Sequence, residues 1–208
     1  MIKRIIFDLD NTLMLWKDEY IFALKNVLDE LKVKYDQKEL LKFDSAVVDY
    51  ENHHYIYNKK DFVEFVNNYC DSNLPIDFVD KLIIEQGKCF EYDDRLVDTI
   101  EYLSKKYDLI ILSNWFTNTQ KLRLKGACLL KYFTIVSGGD ERPLKPNLEA
   151  FSEAVKGFNI SECLMVGDSL KNDIKPALEL GMSAIWVTKE KDSNYKTIES
   201  IYELKNIL

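Results

Sequence analysis

Ile5-Ile6-Phe7-Asp8-Leu9-Asp10-Asn11-Thr12 sets three apolar residues directly against a polar stretch interrupted only by Leu9. A short apolar run of this kind reads as a strand buried on both faces in a parallel sheet. Four later runs have the same look: Leu109 to Leu112, Phe133 to Val136, Cys163 to Val166 and Ala184 to Val187. Between the later runs the period is helical. Leu96, Val97, Ile100 and Leu103 share one face of the segment from Asp94 to Lys106. Asn147 to Lys156 and Asp173 to Leu180 are similar, and a last helix ends near Leu208. Strand alternating with helix predicts an α/β fold, doubly wound around a mainly parallel five-stranded sheet.

From about Trp16 to Lys88 the alternation stops, and three or four helices with no convincing strand are predicted. Leu24, Val27, Leu28 and Leu31 make one apolar face. Phe62, Val63, Phe65, Val66 and Tyr69 make a second, and Phe78, Val79, Leu82 and Ile83 a third. The expected division is an α/β core from residues 1–15 and 90–208 and an all-α cap from 16–89. A helical block inserted after the first strand reads as a lid over the strand ends, where open α/β sheets bind their ligands.

Polar residues gather after four of the strands. Asp8-Leu9-Asp10-Asn11-Thr12 follows the first and Ser113-Asn114 the second. Lys145-Pro146 lies in the loop after the third, and Gly167-Asp168-Ser169-Leu170-Lys171-Asn172-Asp173 follows the fourth. In a parallel sheet these loops open on one edge, so carboxylates, a hydroxyl and a lysine converge. Crowded carboxylates repel, and a hard divalent cation relieves them; oxygen ligands with open water positions suit Mg²⁺. A metal, a lysine, a hydroxyl and a free carboxylate fit phosphoryl transfer, which depends on positioning and charge neutralisation. Each element alone has a plainer reading. Asp-x-Asp after an apolar run is often a turn, Ser113 could cap a helix, and Lys145 could lie on the surface. Their joint order along the chain is what carries the functional reading.

The four elements DLDNT, the Ser of LILSN, the Lys of LKP, and GDSLKND resemble the haloacid dehalogenase-like hydrolase superfamily, in its phosphatase branch with an inserted α-helical cap. The likeness covers roughly residues 1–15 and 90–208 and implies a Rossmann-like core. It implies that Asp8 is a nucleophile that becomes phosphorylated, and that Asp10 is the general acid and then the general base. It implies that Ser113 and the backbone N–H of Asn114 hold phosphoryl oxygens while Lys145 neutralises charge. Asp8, the carbonyl of Asp10 and Asp168 would ligate Mg²⁺, with Asp173 behind them or on a metal-bound water. Thr12 would order the loop. Dehalogenases of the superfamily lack an acid at the position of Asp10, so its presence favours a phosphatase. Trp115 stands where many relatives have a small residue, and the loop Gly138-Gly139-Asp140-Glu141-Arg142 before Lys145 is unusual.

Composition narrows the setting. The 208 residues carry a net charge of −7, a pI of about 5.0 and 47% hydrophobic side chains. A core can be buried, and broad nucleic-acid binding is disfavoured. Cys70, Cys89, Cys128 and Cys163 are scattered without metal-ligand spacing and read as reduced thiols. No run approaches a membrane span of about 18 apolar residues. The expectation is a cytoplasmic enzyme, a monomer or small homo-oligomer, acting on a small phosphorylated metabolite without nucleic-acid or membrane partners.

Substrate choice is expected from the cap. Trp115, Tyr55 and Tyr57 are the candidate selecting residues, the tyrosines within the aromatic stretch Tyr50 to Tyr57; packing is the plainer reading of that stretch. Adjacent His53 and His54 point apart on a helix and make a poor joint metal site. From Ile5 through Asp94 there is no arginine to clamp a second phosphate, which weighs against a phosphomutase on a sugar bisphosphate. A nucleoside monophosphate and a sugar phosphate both remain as substrates. The rival of another class is a non-catalytic binding or regulatory module.

Overall fold

A computed structural model describes residues 1–16, 19–190 and 192–208. Its sheet is built from β1 (Arg4–Phe7), β2 (Asp108–Leu112), β3 (Ile135–Ser137), β4 (Cys163–Gly167), β5 (Ser183–Val187) and β6 (Thr197–Ile198). All neighbours are parallel, in the order β3-β2-β1-β4-β5-β6. The sixth strand corrects the five-stranded expectation. It is two residues long, pairing Thr197 with Trp186 and Ile198 with Val187, and it has no apolar run to announce it. The third strand starts two residues later than expected. Phe133 precedes it and packs edge-on against Phe7, with ring centroids 6.2 Å apart.

Alternation along the strands divides the core into two layers. Ile5, Phe7, Leu109 and Ile111 face one cluster with Leu96, Ile100 and Leu103 of α5 (Asp94–Ser104). Ile6, Ile110, Leu112 and Met165 face the other, with Ala150 and Phe151. Helices therefore cover both faces of the sheet, and each buried Leu, Ile or Phe contributes about 1.5–3 kcal/mol. The helix expected over 147–156 shortens to Glu149–Ser152. That expected from Asp173 becomes a π-helical turn, Leu170–Ile174, continued by Lys175–Glu179.

Among the described residues, four helices lie between β1 and α5: α1 (Glu19–Glu30), α2 (Gln37–His53), α3 (Lys59–Cys70) and α4 (Asp77–Gln86). Their starts are written in local chemistry. Asp36 accepts from the N–H of Glu39 at 2.9 Å while the Glu39 carboxylate takes that of Asp36 at 2.6 Å, a reciprocal cap worth about 1 kcal/mol. Asn58 caps α3 through the N–H groups of Lys60 and Asp61. The apolar faces meet in their own cluster, in which Val27, Leu28, Phe62, Phe78 and Val79 are buried, and Trp115, Phe116 and Leu144 join it from the sheet side. Two backbone bonds tie the α2–α3 connection to the loop after β3: Tyr57 N–H to Gly139 O at 2.8 Å, and Leu144 N–H to Tyr55 O at 2.7 Å.

Candidate active site

β1 lies between β2 and β4, where the strand order reverses, and the crevice at such a reversal is where open α/β sheets bind ligands. The Asp8 N–H still pairs with Val166 O at 2.9 Å, after which the chain turns sharply. The Leu9 carbonyl accepts from Thr12, Leu13 and Met14, and Asn11 takes a left-handed φ of 59° that asparagine tolerates well. The turn buries Leu9 and leaves Asp8 and Asp10 facing one cavity of about 380 Å³.

Lys145 reaches the same cavity from the loop after β3. Its ammonium donates to Asp8 Oδ1 at 2.7 Å and to Asp173 Oδ1 at 2.6 Å. Its backbone is gripped from both sides by Asn114, whose Nδ2 donates to Lys145 O at 2.9 Å and whose Oδ1 accepts from Lys145 N at 2.8 Å. The expectation gave Asn114 only a backbone role; its side chain places the lysine. Asp173 is seated against Gly167, where an added Cβ would lie 2.4 Å from its carboxylate, and its Oδ2 accepts the Ser169 N–H at 3.1 Å. Asp168 stands nearby, with its backbone oxygen held by Trp186 Nε1 at 2.7 Å and its carboxylate 3.5 Å from the Thr12 hydroxyl.

Carboxylate oxygens of Asp8, Asp168 and Asp173 lie within 4.8 Å of one another. Lys145 pairs with two of the three, Asp8 and Asp173. Burial pushes Asp8 up to about 8, helped by Asp173, Asp10 and Asp168 and opposed by Lys145. Burial and Asp173 likewise raise Asp168 to about 6. Oxygen donors with this surplus of negative charge fit a hard divalent cation, and both oxygens of Asp173 are already engaged by protein donors. Asp8 and Asp168 would thus hold the ion directly and Asp173 would act through its neighbours.

Ser113 is buried at the end of β2, with its hydroxyl 2.7 Å from Gln120 Nε2. Trp115 lines the cavity, and its indole N–H donates to Gln86 at 2.8 Å. The two tyrosines lie apart from the cluster of Asp8, Lys145 and Asp173. Tyr57 is buried against Tyr50, Phe62, Trp115 and Phe116, and its hydroxyl donates to Glu51 at 3.0 Å; Tyr55 is half exposed and bonds Glu149. Neither lines the cavity, which their neighbour Glu51 does. His53 is exposed while His54 stacks on Tyr50 at 3.7 Å, so the pair shares no site. Cys70, Cys89, Cys128 and Cys163 form no disulfide with one another. No helix among the described residues is long and apolar enough to cross a membrane.

Several residues at this site escaped the sequence reading. Asp44 and Glu51 of α2 line the cavity. Gln120 and Arg123 of α6 (Thr117–Gly126) hold Asp10 from behind. A signal for the second pair existed: α6 has polar residues on its buried side, and it begins directly after the Ser113 loop.

Residues 5–187 match the family described as haloacid dehalogenase-like hydrolase. The HAD-hydrolase YfnB of Bacillus subtilis is 28% identical over 118 residues, 55% of this chain and half the length of that relative. A solved structure of YfnB bound to magnesium superposes with a TM-score of 0.77 at 21% identity, covering 100% of this chain and 98% of that one. The glyceraldehyde 3-phosphate phosphatase of Methanocaldococcus jannaschii is 27% identical over 224 residues, 100% of this chain and 97% of its own. The pyrimidine 5'-nucleotidase PynA of Streptococcus pneumoniae is 28% identical over 126 residues, 59% and 52% of the two chains. With the match running from the first strand to the fifth, the chain belongs to the haloacid dehalogenase-like hydrolase family.

Proposed function

We propose that the protein is a Mg²⁺-dependent phosphatase of small phosphomonoesters, working through an aspartyl-phosphate on Asp8. The observation that carries the reading is the Lys145 ammonium bridging Asp8 and Asp173 beside Asp168 at the strand-order reversal. Asp8 attacks phosphorus and the bond to the leaving oxygen breaks as Asp10 gives that oxygen a proton. Asp10 then takes a proton from the water that attacks phospho-Asp8, and inorganic phosphate leaves with Asp8 restored. Ser113 and Lys145 hold the phosphoryl oxygens. Bound Mg²⁺, on Asp8 and Asp168, supplies charge neutralisation. The helical block α1–α4 serves as the cap over the site, and four cysteines outside any disulfide suit a cytoplasmic setting. Phosphate release from a generic aryl ester with and without a chelator tests the reading; full turnover in metal-free buffer overturns the metal.

Two observations support a substrate with one phosphate and a neutral body bearing a ring and hydroxyls. Lys145 is the sole basic side chain among the described residues lining the cavity, and the cap side offers Asp44 and Glu51. A second phosphate would meet acids, whereas hydroxyls would find acceptors. Next to it lies an apolar cavity of about 180 Å³, sharing Trp16, Asp44, Val47 and Trp115 with the first. Trp16 and Trp115 stand edge to face with centroids 6.0 Å apart. Both observations favour a nucleoside monophosphate over a sugar bisphosphate. The check is kcat/KM on a metabolite panel. Replacing Trp115 by Ala should cost about ten- to hundredfold on the preferred ester, within the range of ring stacking, and far less on an aryl phosphate. Equal losses on both would mean packing damage.

A further inference from the structure

Arg123 is an ionic side chain held almost entirely inside the protein, 1% exposed, and its partner is Asp10. Its Nη1 donates to Asp10 Oδ1 and, at 2.9 Å, to the amide oxygen of Gln120. The Gln120 amide nitrogen donates to Asp10 Oδ2 at 2.7 Å and to the Ser113 hydroxyl at 2.7 Å. Both oxygens of Asp10 are therefore engaged from α6, and the amide that holds one of them also touches the serine at the phosphate end. The far side of the guanidinium meets both ends of the helical block, the first turn of α1 and the chain just after α4. Its Nε donates to Cys89 O at 2.8 Å, just beyond α4. Its plane lies over the Tyr20 ring at 5.1 Å, and the Tyr20 hydroxyl is 3.5 Å from Asp10 Oδ1.

We propose that Arg123 and Gln120 are positioning residues that fix the direction of the Asp10 carboxylate and bind that direction to the seating of the helical block. A turn ending in Asp-Asn leaves a short carboxylate free to rotate about its own side-chain bonds. General acid–base catalysis needs the carboxylate within about 2.6–3.2 Å of the proton it moves. A bidentate arrangement of guanidinium and amide removes that freedom. Burying an arginine also carries a desolvation cost, which its pairing with Asp10 offsets. The site for that pairing is one helical turn, Gln120 to Arg123, immediately behind the serine loop. A shift of the block that displaces Tyr20 or Cys89 is thereby passed to the arginine and on to Asp10.

This inference rests on the phosphatase reading, and the experiment separates the two. Arg123→Met, Arg123→Lys and Gln120→Met are compared with the wild type on an alkyl phosphate and on p-nitrophenyl phosphate, in steady state and in rapid mixing. The alkyl ester needs a proton for its leaving oxygen and the aryl ester scarcely does. With Asp10 misdirected, kcat on the alkyl ester should fall about 30- to 100-fold with KM changed less than about threefold, inside the range for lost acid–base catalysis. On the aryl ester a burst of one nitrophenolate per enzyme should precede slow turnover, because phospho-Asp8 forms without the acid and then lacks its base. Arg123→Lys should recover part of the rate. Gln120→Met keeps the buried arginine and tests the idea should Arg123→Met not fold. Variants with wild-type kinetics, or equal losses on both esters without a burst, overturn the positioning role. A wild type that releases phosphate from neither ester overturns the phosphatase reading and this inference with it.

Discussion

The two ends of β1 each carry buried charge and use it differently. At the start of the strand, Arg4 donates to Asp108 at 2.6 Å and to the carbonyls of Ala154 and Lys156, and its guanidinium lies 4.1 Å from the Phe158 ring centre. One cation meets one anion, and the remaining donors end on backbone. At the other end, Lys145 stands against Asp8 and Asp173 with Asp168 beside them, and the sum is negative. A balanced pair holds two strands and a loop together and asks for nothing more. An unbalanced set costs stability until something positive arrives, which is the usual condition of a site kept for chemistry.

The sharpest way to break the contrast is Asp8→Asn. The amide keeps the shape and removes the attacking oxygen, so turnover should fall by at least about 10³-fold while the fold stays intact. Retention of a tenth of wild-type kcat, or phosphate trapped on another residue, sinks the assignment. Gly167→Ala works one step back. The new methyl group collides with Asp173, displaces it from Lys145, and should cost about 10- to 100-fold in kcat, as small misplacements of reacting groups do. Asn114→Ala, which frees the Lys145 backbone, belongs in the same range. Unchanged kinetics in both would show that the lysine needs no such support.

Arg4→Met probes the other end. It leaves Asp108 without its cation and should cost about 1–3 kcal/mol of stability by denaturant unfolding, with kcat per folded molecule unchanged within about twofold. A tenfold loss of kcat would erase the distinction between the two ends.

The smallest effect is in pH. Asp8 and Asp168 hold their protons to about 8 and about 6 in the folded chain, against an ordinary value of 3.8. The folded state binds more protons than the unfolded one across that window, so the metal-free protein should lose stability as pH rises from about 4 towards 8. Mg²⁺ should therefore raise Tm more at pH 8 than at pH 5, by a further 2–4 °C or so. Equal increments at both pH values would separate the acids from the ion.

Much of the candidate site was legible in the sequence because several of its groups directly follow a strand. Asp8, Ser113 and Asp168 sit at or just past β1, β2 and β4, and the parallel sheet does the rest. Lys145 was legible by family order, although its loop is held by Gly139, Asp140 and Asn114 through contacts no local pattern announces. What stayed hidden depends on helix packing across the chain. Arg123 meets Asp10 from 113 residues away. Tyr57 was a candidate selecting residue in a stretch dense in aromatic and polar groups, for which packing is the plainer reading. It is buried, and the acid it bonds, Glu51, is the group that faces the cavity. Strand β6 was missed because two residues make no periodicity.

The central place of β1 has a consequence for how the protein is made. The strand is wholly buried, yet its first sheet neighbour, β2, starts at Asp108 and its second, β4, at Cys163. At about 5–20 residues per second on the ribosome, Ile5-Ile6-Phe7 waits roughly 5–20 s for β2 and longer for β4. The helical block shares the wait, because Trp115, Phe116 and Leu144 complete its apolar cluster from beyond β2. The nascent chain thus carries an unpaired apolar strand, the kind of segment that chaperones recognise. Slowing synthesis between residues 87 and 108 should lower the soluble yield without touching the stability of the finished protein.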